Sequence, residues 1–202
     1  PIPALGQIAL GVAMRLDRRR RAKLESVWKK YGLKPVIDPA IPVHAVPSVN
    51  SDECRALLKK LAPDVVAVYG TRLLKPATLD SVPAPFVNYH AGITPKYRGQ
   101  DPGYWALATG DAEHAGVTVH LVDEGVDTGA VLYQERVQFS PQDSLATYQH
   151  VQAATALPLF ARAIEDALAG RLAPVKVDLP SMKWFPPTIW TYVRIGLTRG
   201  VW

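Results

Sequence analysis

The chain has 202 residues, 48% hydrophobic and 20% charged, which suits a single α/β-sized globular unit with a core to bury. No apolar run approaches the roughly eighteen residues of a membrane span. One cysteine, Cys54, excludes an internal disulfide framework, and with no signal peptide the expected compartment is a reducing cytoplasm.

The chain opens at Pro1 directly into a helical pattern, Leu5, Ile8, Val12 and Leu16. An α/β chain usually starts with a strand, so a strand-helix unit is expected ahead of Pro1. Much of the net charge of +5 comes from Arg18-Arg19-Arg20-Arg21, Lys23, Lys29 and Lys30, set between apolar Leu16, Leu24, Val27, Trp28 and Tyr31. This fits the solvated face of an amphipathic helix or peripheral contact with an acidic membrane surface. No nucleic-acid module accompanies the run, and no nucleic-acid partner is expected. Gly32 ends the helical stretch.

Pro35, Pro39, Pro42 and Pro47 punctuate a connector with room for one short strand at 43–46. Asn50 or Ser51 caps a helix running to about residue 61, whose stripe of Cys54, Leu57, Leu58 and Leu61 is expected in the core. The run DVVAVYG, between Pro63 and Gly70, reads as a buried parallel strand. A helical turn at 75–81 leads to a strand ending at Asn88, and Pro102 opens a helix through Ala108. GVTVHLV and AVLYQERVQF are two more strands, joined by DEGVDTG, and residues 142–169 form a long helix interrupted at Pro158. The tail MKWFPPTIWTYVRIGLTRGVW is aromatic and basic. Its Trp184, Phe185, Trp190, Tyr192 and Trp202 suit packing on the body, burial in a homodimer, or a lipid headgroup layer. The expected division is an α/β unit over 1–180 and the tail over 181–202.

In open α/β sheets ligands bind beyond the carboxyl ends of the strands. Asn88 and His90 fall there, as do Asp123, Glu124 and Asp127 in the next strand's loop. Histidine is the side chain best placed to move protons near neutrality, and an amide two residues away donates a hydrogen bond without competing for them. Such a pair suits a tetrahedral oxyanion. His120 alternates along its strand and reads as structural. No phosphate-binding glycine loop, nucleophile elbow or metal-ligand spacing is present, so no metal is expected.

The segments NYHAGITPKYRG (88–99) and GVTVHLVDEGVDTGAVLYQE together resemble the folate-dependent formyltransferases, a family that acts on glycinamide ribonucleotide, methionyl-tRNA and sugar amines. That family carries Asn-x-His-x-Ser-Leu-Leu-Pro-x-Tyr-Arg-Gly and then a Gly-Val-Thr strand with a loop ending in Asp-x-Gly. The resemblance covers about residues 64–138. It implies an open, mostly parallel Rossmann-like sheet with helices on both faces, here without its first strand-helix segment. It also implies a hydroxymethyl- or formyl-transferring enzyme that uses 10-formyltetrahydrofolate and a small-molecule amine, with a sugar amine favoured. The alternatives are a phosphoribosylglycinamide formyltransferase and a non-catalytic folate-binding or membrane-associated relative.

By the resemblance Asn88, His90 and Asp127 are catalytic. Asn88 and a protonated His90 would hold the oxyanion, with Asp127 orienting the imidazole. Thr71, Arg72, Leu73 and Leu74, with Val122, Asp123 and Glu124, would line the folate site. Arg72 or Arg98 would meet a folate tail or an anionic acceptor. Gly92 and Thr94 stand where the family has Ser and Leu, which puts the shape of the acceptor side in question.

Overall fold

The computed structural model describes residues 2–16, 20–34 and 36–202. Within the expected helical stretch the described residues form α1 (Ile2–Leu16) and α2 (Arg20–Tyr31). Arg18 and Arg19 lie outside the described residues. There follow α3 (Asp52–Leu61), β1 (Val66–Val68), α4 (Pro76–Leu79), β2 (Phe86–His90), β3 (Arg98–Gly99) and α5 (Pro102–Ala108). The chain continues with β4 (Gly116–Leu121), β5 (Val131–Arg136), α6 (Tyr148–Leu168), β6 (Lys183–Trp184) and α7 (Ile189–Arg199).

Residues 43–46 form no strand, and Val43 is exposed. Pro158 does not interrupt α6: it sits on the exposed side of a continuous helix. Ser51 caps α3 by accepting from the Cys54 amide. The α3 stripe is only partly buried, Cys54 included, and Leu61 is exposed.

The main sheet is open, in the order β1-β2-β4-β5. It is less parallel than expected: β1 and β2 run parallel, whereas β2-β4 and β4-β5 are antiparallel. The nine residues of the 122–130 loop explain the last pair, since a parallel crossover needs about a dozen or more.

The register sorts the side chains into two faces. Val87 and Tyr89 of β2 and Val117 and Val119 of β4 are buried in the clusters that take in Val151, Ala156 and Ala163 of α6. Burying a side chain of this kind stabilises by roughly 1.5–3 kcal/mol, so this face is the principal anchor of the fold. The opposite face begins apolar, with Phe86, Val66 and Val68 against Leu58 of α3 and Leu79 of α4. Helices therefore cover both faces. Beyond Phe86 this second face turns polar: Asn88 pairs across to His120, and His90 to Thr118, which faces Gln134.

The tail packs on the body. β6 pairs with β3, Arg98 against Lys183 and Gly99 against Trp184, and the Trp184 ring stacks on Trp105 and Tyr97.

Candidate active site

The polar row of the sheet holds the loop that follows it. The Thr118 hydroxyl donates to the Gly92 carbonyl at 2.7 Å and accepts from the Thr94 amide at 3.1 Å. The Gln134 amide donates to the Thr94 carbonyl at 2.7 Å. Stapled this way, the loop brings the Tyr97 carbonyl to 2.7 Å from His90 Nε2, which donates to it. Gly92 makes the approach feasible: a Cβ there would lie 2.5 Å from the Tyr97 oxygen and 2.8 Å from His90 Nε2. The exchange of the family's serine for glycine thus has a steric reason in this chain.

With Nε2 held by Tyr97, His90 turns Nδ1 toward Asp127, 3.4 Å from Oδ1. At that distance a carboxylate attracts an imidazolium but holds no tight hydrogen bond. Asp127 is fixed by its own partners. The Gly99 amide donates to Oδ2 at 2.8 Å, and Arg98 donates to the Val126 carbonyl at 2.9 Å. Asp127 itself adopts φ +51°, a left-handed conformation that Asp tolerates better than most residues. Because β6 pairs with β3, the tail strand supports the segment that positions this acid.

His120, read from sequence as structural, belongs to this cluster. Its Nδ1 donates to the Leu121 carbonyl at 2.7 Å, which leaves Nε2 to accept from Asn88 Nδ2 at 3.1 Å. Burial pushes its imidazole down from the ordinary range, and the nearby His90 adds to that; the Leu121 carbonyl and Asp127 act in the opposite direction. A neutral His120 therefore fixes the Asn88 amide and leaves its second N–H for a ligand. The unbroken antiparallel ladder between β2 and β4 sets His120 opposite Asn88, while the β-bulge at Val119/His120 lies on the β5 side of β4.

Asn88, His90, His120 and Asp127 share one cavity of about 780 Å³. Thr71, Arg72, Leu73 and Leu74 line it, with Val122 and Asp123. Glu124 does not: it is exposed on the outer side of the loop. The Asp123 carboxylate accepts from the Gly125 amide and the Thr128 hydroxyl, which shapes the turn. Arg98 clamps the loop through the Val126 carbonyl, and its buried Nε has no protein partner. Main-chain groups of residues 70–74 run outside regular structure, and Leu74 is buried beneath them. This stretch presents backbone donors and acceptors to the cavity.

Two further residues have no sequence signal. Trp184 walls the cavity from β6. Asp101, at φ +51°, precedes α5 without capping it, and its carboxyl faces Gln149 at 3.4 Å. Burial pushes that carboxyl up, only partly offset by the Gln149 contact.

An amide, an imidazole and a carboxylate thus meet at the polar edge of an open α/β sheet, beside a backbone-lined cavity. The formyl transferase family profile matches residues 22–164, and the chain belongs to that family. A methionyl-tRNA formyltransferase of Pelotomaculum thermopropionicum is 37% identical over 127 residues, 62% of this chain and 40% of that protein. The chain thus spans less than half the length of that curated relative. Glycinamide ribonucleotide transformylase 1 from Symbiobacterium toebii superposes with TM-score 0.54 at 28% identity, over 69% of this chain and 65% of that one. The formyltransferase PseJ from Anoxybacillus kamchatkensis, solved with a formamido sugar nucleotide and tetrahydrofolate, shares the fold. Its TM-score is 0.53 at 20% identity, over 80% of this chain and 79% of that one.

Proposed function

We propose that this chain carries the catalytic unit of a formyltransferase that moves a formyl group from 10-formyltetrahydrofolate to a primary amine. The observation that carries the reading is the convergence of Asn88, His90 and Asp127 on one cavity, with His90 Nδ1 3.4 Å from Asp127 Oδ1. The folate would lie along residues 70–74 and 122–123, its formyl carbon near Asn88. When the amine attacks, the carbonyl oxygen gains charge, and the free Asn88 N–H donates to it. His90 contributes through Nδ1, since Nε2 is held by Tyr97. Asp127 stabilises the imidazolium and accepts the proton that the amine loses on its way to the leaving nitrogen. Each such donor is worth roughly 3–4 kcal/mol in the transition state.

For the acceptor, a sugar amine on a nucleotide or lipid carrier is the favoured reading. Lys183 and Phe185 line the cavity beside Trp184, offering a cation for phosphate and an aromatic face for stacking. Asp101, at the same end, would hold the acceptor's amine or hydroxyl. The identity to a methionyl-tRNA formyltransferase supports a second reading, an aminoacyl-tRNA acceptor. A single screen separates them. Consumption of 10-formyltetrahydrofolate is followed with amino-sugar nucleotides, glycinamide ribonucleotide and methionyl-tRNA in turn. Turnover with an amino sugar alone is expected. A protein that binds folate and formylates no amine would refute the catalytic reading.

A further inference from the structure

We propose that the packed helices α1 and α7 dock this chain on an anionic lipid surface. From Ile2 to Leu16 the polar side chains are Gln7 and Arg15 alone. One side of α1 is packed: Leu10 is buried, Gly6 lies against Thr188, and Gln7 donates to the Pro186 carbonyl at 2.7 Å. The other side is equally apolar and open, with Leu5 67%, Ile8 63% and Val12 48% exposed. A helix apolar all round normally has apolar surroundings on both sides.

α7 repeats the pattern. Ile195 and Gly196 are buried, Gly196 under the Trp202 ring, while Trp190 is 74% and Leu197 76% exposed, with Val193 between them. Trp190, Val193 and Leu197 have the same spacing as Leu5, Ile8 and Val12. Single exposed leucines need no explanation, but two such stripes on helices in contact do.

Charge decides what these stripes fit. Residues 1–31 and 181–202 hold eleven Lys and Arg against two Asp and Glu, whereas the 149 residues between hold twelve against sixteen. In the sequence the two terminal segments thus sum to +9 and the stretch between them to −4. A second copy of the chain would set two such cationic ends against each other. A nucleic acid would use the cations and gain nothing from Leu5, Ile8 and Leu197. A lipid surface takes all of it, with aliphatic side chains below the headgroups, Trp190 at their level and the basic groups against phosphate. Among the described residues no helix is long and apolar enough to cross a membrane, so the contact is peripheral.

The placement also bears on access. A cleft of about 270 Å³ between α1 (Gln7, Leu10, Met14) and Pro186 and Pro187 shares Asp101 and Gln149 with the larger cavity. The lipid-facing end therefore adjoins the end assigned above to the acceptor.

The test is flotation of the full chain with vesicles of phosphatidylglycerol and phosphatidylcholine, without substrates, so it stands or falls independently of formyl transfer. Binding is expected, weakened by salt and by pure phosphatidylcholine. The exposed double variant I8E/L197E should keep the wild-type thermal midpoint and bind at least about tenfold more weakly. Three results would overturn the assignment: no flotation of the wild type, equal flotation of the double variant, or a dimer in solution that the double variant converts to monomer.

Discussion

Gly92→Ala adds one methyl group where the structure has no room for it. The new Cβ would lie 2.5 Å from the Tyr97 oxygen, 2.6 Å from Pro102 Cβ and 2.8 Å from His90 Nε2, against 3.4 Å for ordinary contact. None of the three can retreat easily. Tyr97 is 2% exposed, its amide donates to Ile93, its hydroxyl to Asp111 at 2.7 Å, and its ring stacks on Trp184. Pro102 opens α5, and His90 lies within β2. Overpacking of this kind costs about 1–3 kcal/mol, and each 1 kcal/mol lowers Tm by about 2–4 °C in a chain of this size. The chemical cost is larger, because the group displaced is the carbonyl that aims His90, and a 1 Å misplacement can lower turnover about a hundredfold. Initial rates at saturating donor and acceptor, with donor affinity measured by fluorescence, separate the two effects. We expect turnover to fall by ten- to a hundredfold with donor affinity nearly unchanged. Gly92→Ser, which installs the residue common in the family, should be no better. A Gly92→Ala enzyme with wild-type Tm and turnover within about twofold would refute the packing argument.

What could be read from the sequence was what neighbours along the chain decide. Pro102 at a first helical turn marked α5, the Ser51 cap marked α3, and alternation marked β4. Asn88, His90 and Asp127 follow from the family resemblance of their motifs, and the structure brings the three into one cavity. What pairing decides was hidden. Thr118 and His120 show the right period for one face of β4, but only the antiparallel register with β2 puts them beside His90 and Asn88. The length of β2 was under-read for the same reason: its last residues are polar, yet they keep ladder partners and so remain strand. The tail's aromatic composition suited three environments, and the β3-β6 pairing, far apart in sequence, places its first part in the wall of the site.

Three further substitutions probe the site. His90→Ala and Asn88→Ala should each lower turnover about a hundredfold or more while donor affinity stays within a few-fold, since their contacts strengthen only in the transition state; near-normal rates in both would remove them from the mechanism. Asp127→Asn should cripple turnover, whereas Asp123→Asn, which alters a turn made with Gly125 and Thr128, should act mildly; kinetics of the pair in the reverse order would show that the loop has been assigned four residues out of place. Asp101→Asn carries the sharpest sign. The Asp101 carboxyl is raised by burial, so its charged form destabilises the fold; that stability is present at acid pH and lost as pH rises through the folded-state pKa. An isosteric amide keeps the Gln149 contact, removes the buried charge and suits φ +51° at least as well as Asp. Thermal melts at pH 7 should therefore show a higher midpoint, with the advantage shrinking at acid pH. If Asp101 is there to meet the acceptor, the same variant should raise the acceptor KM and leave donor affinity unchanged. A residue that destabilises its fold and improves binding is one retained for function. A lower midpoint would refute the destabilising charge, and an unaltered acceptor KM would show that Asp101 takes no part in holding the amine.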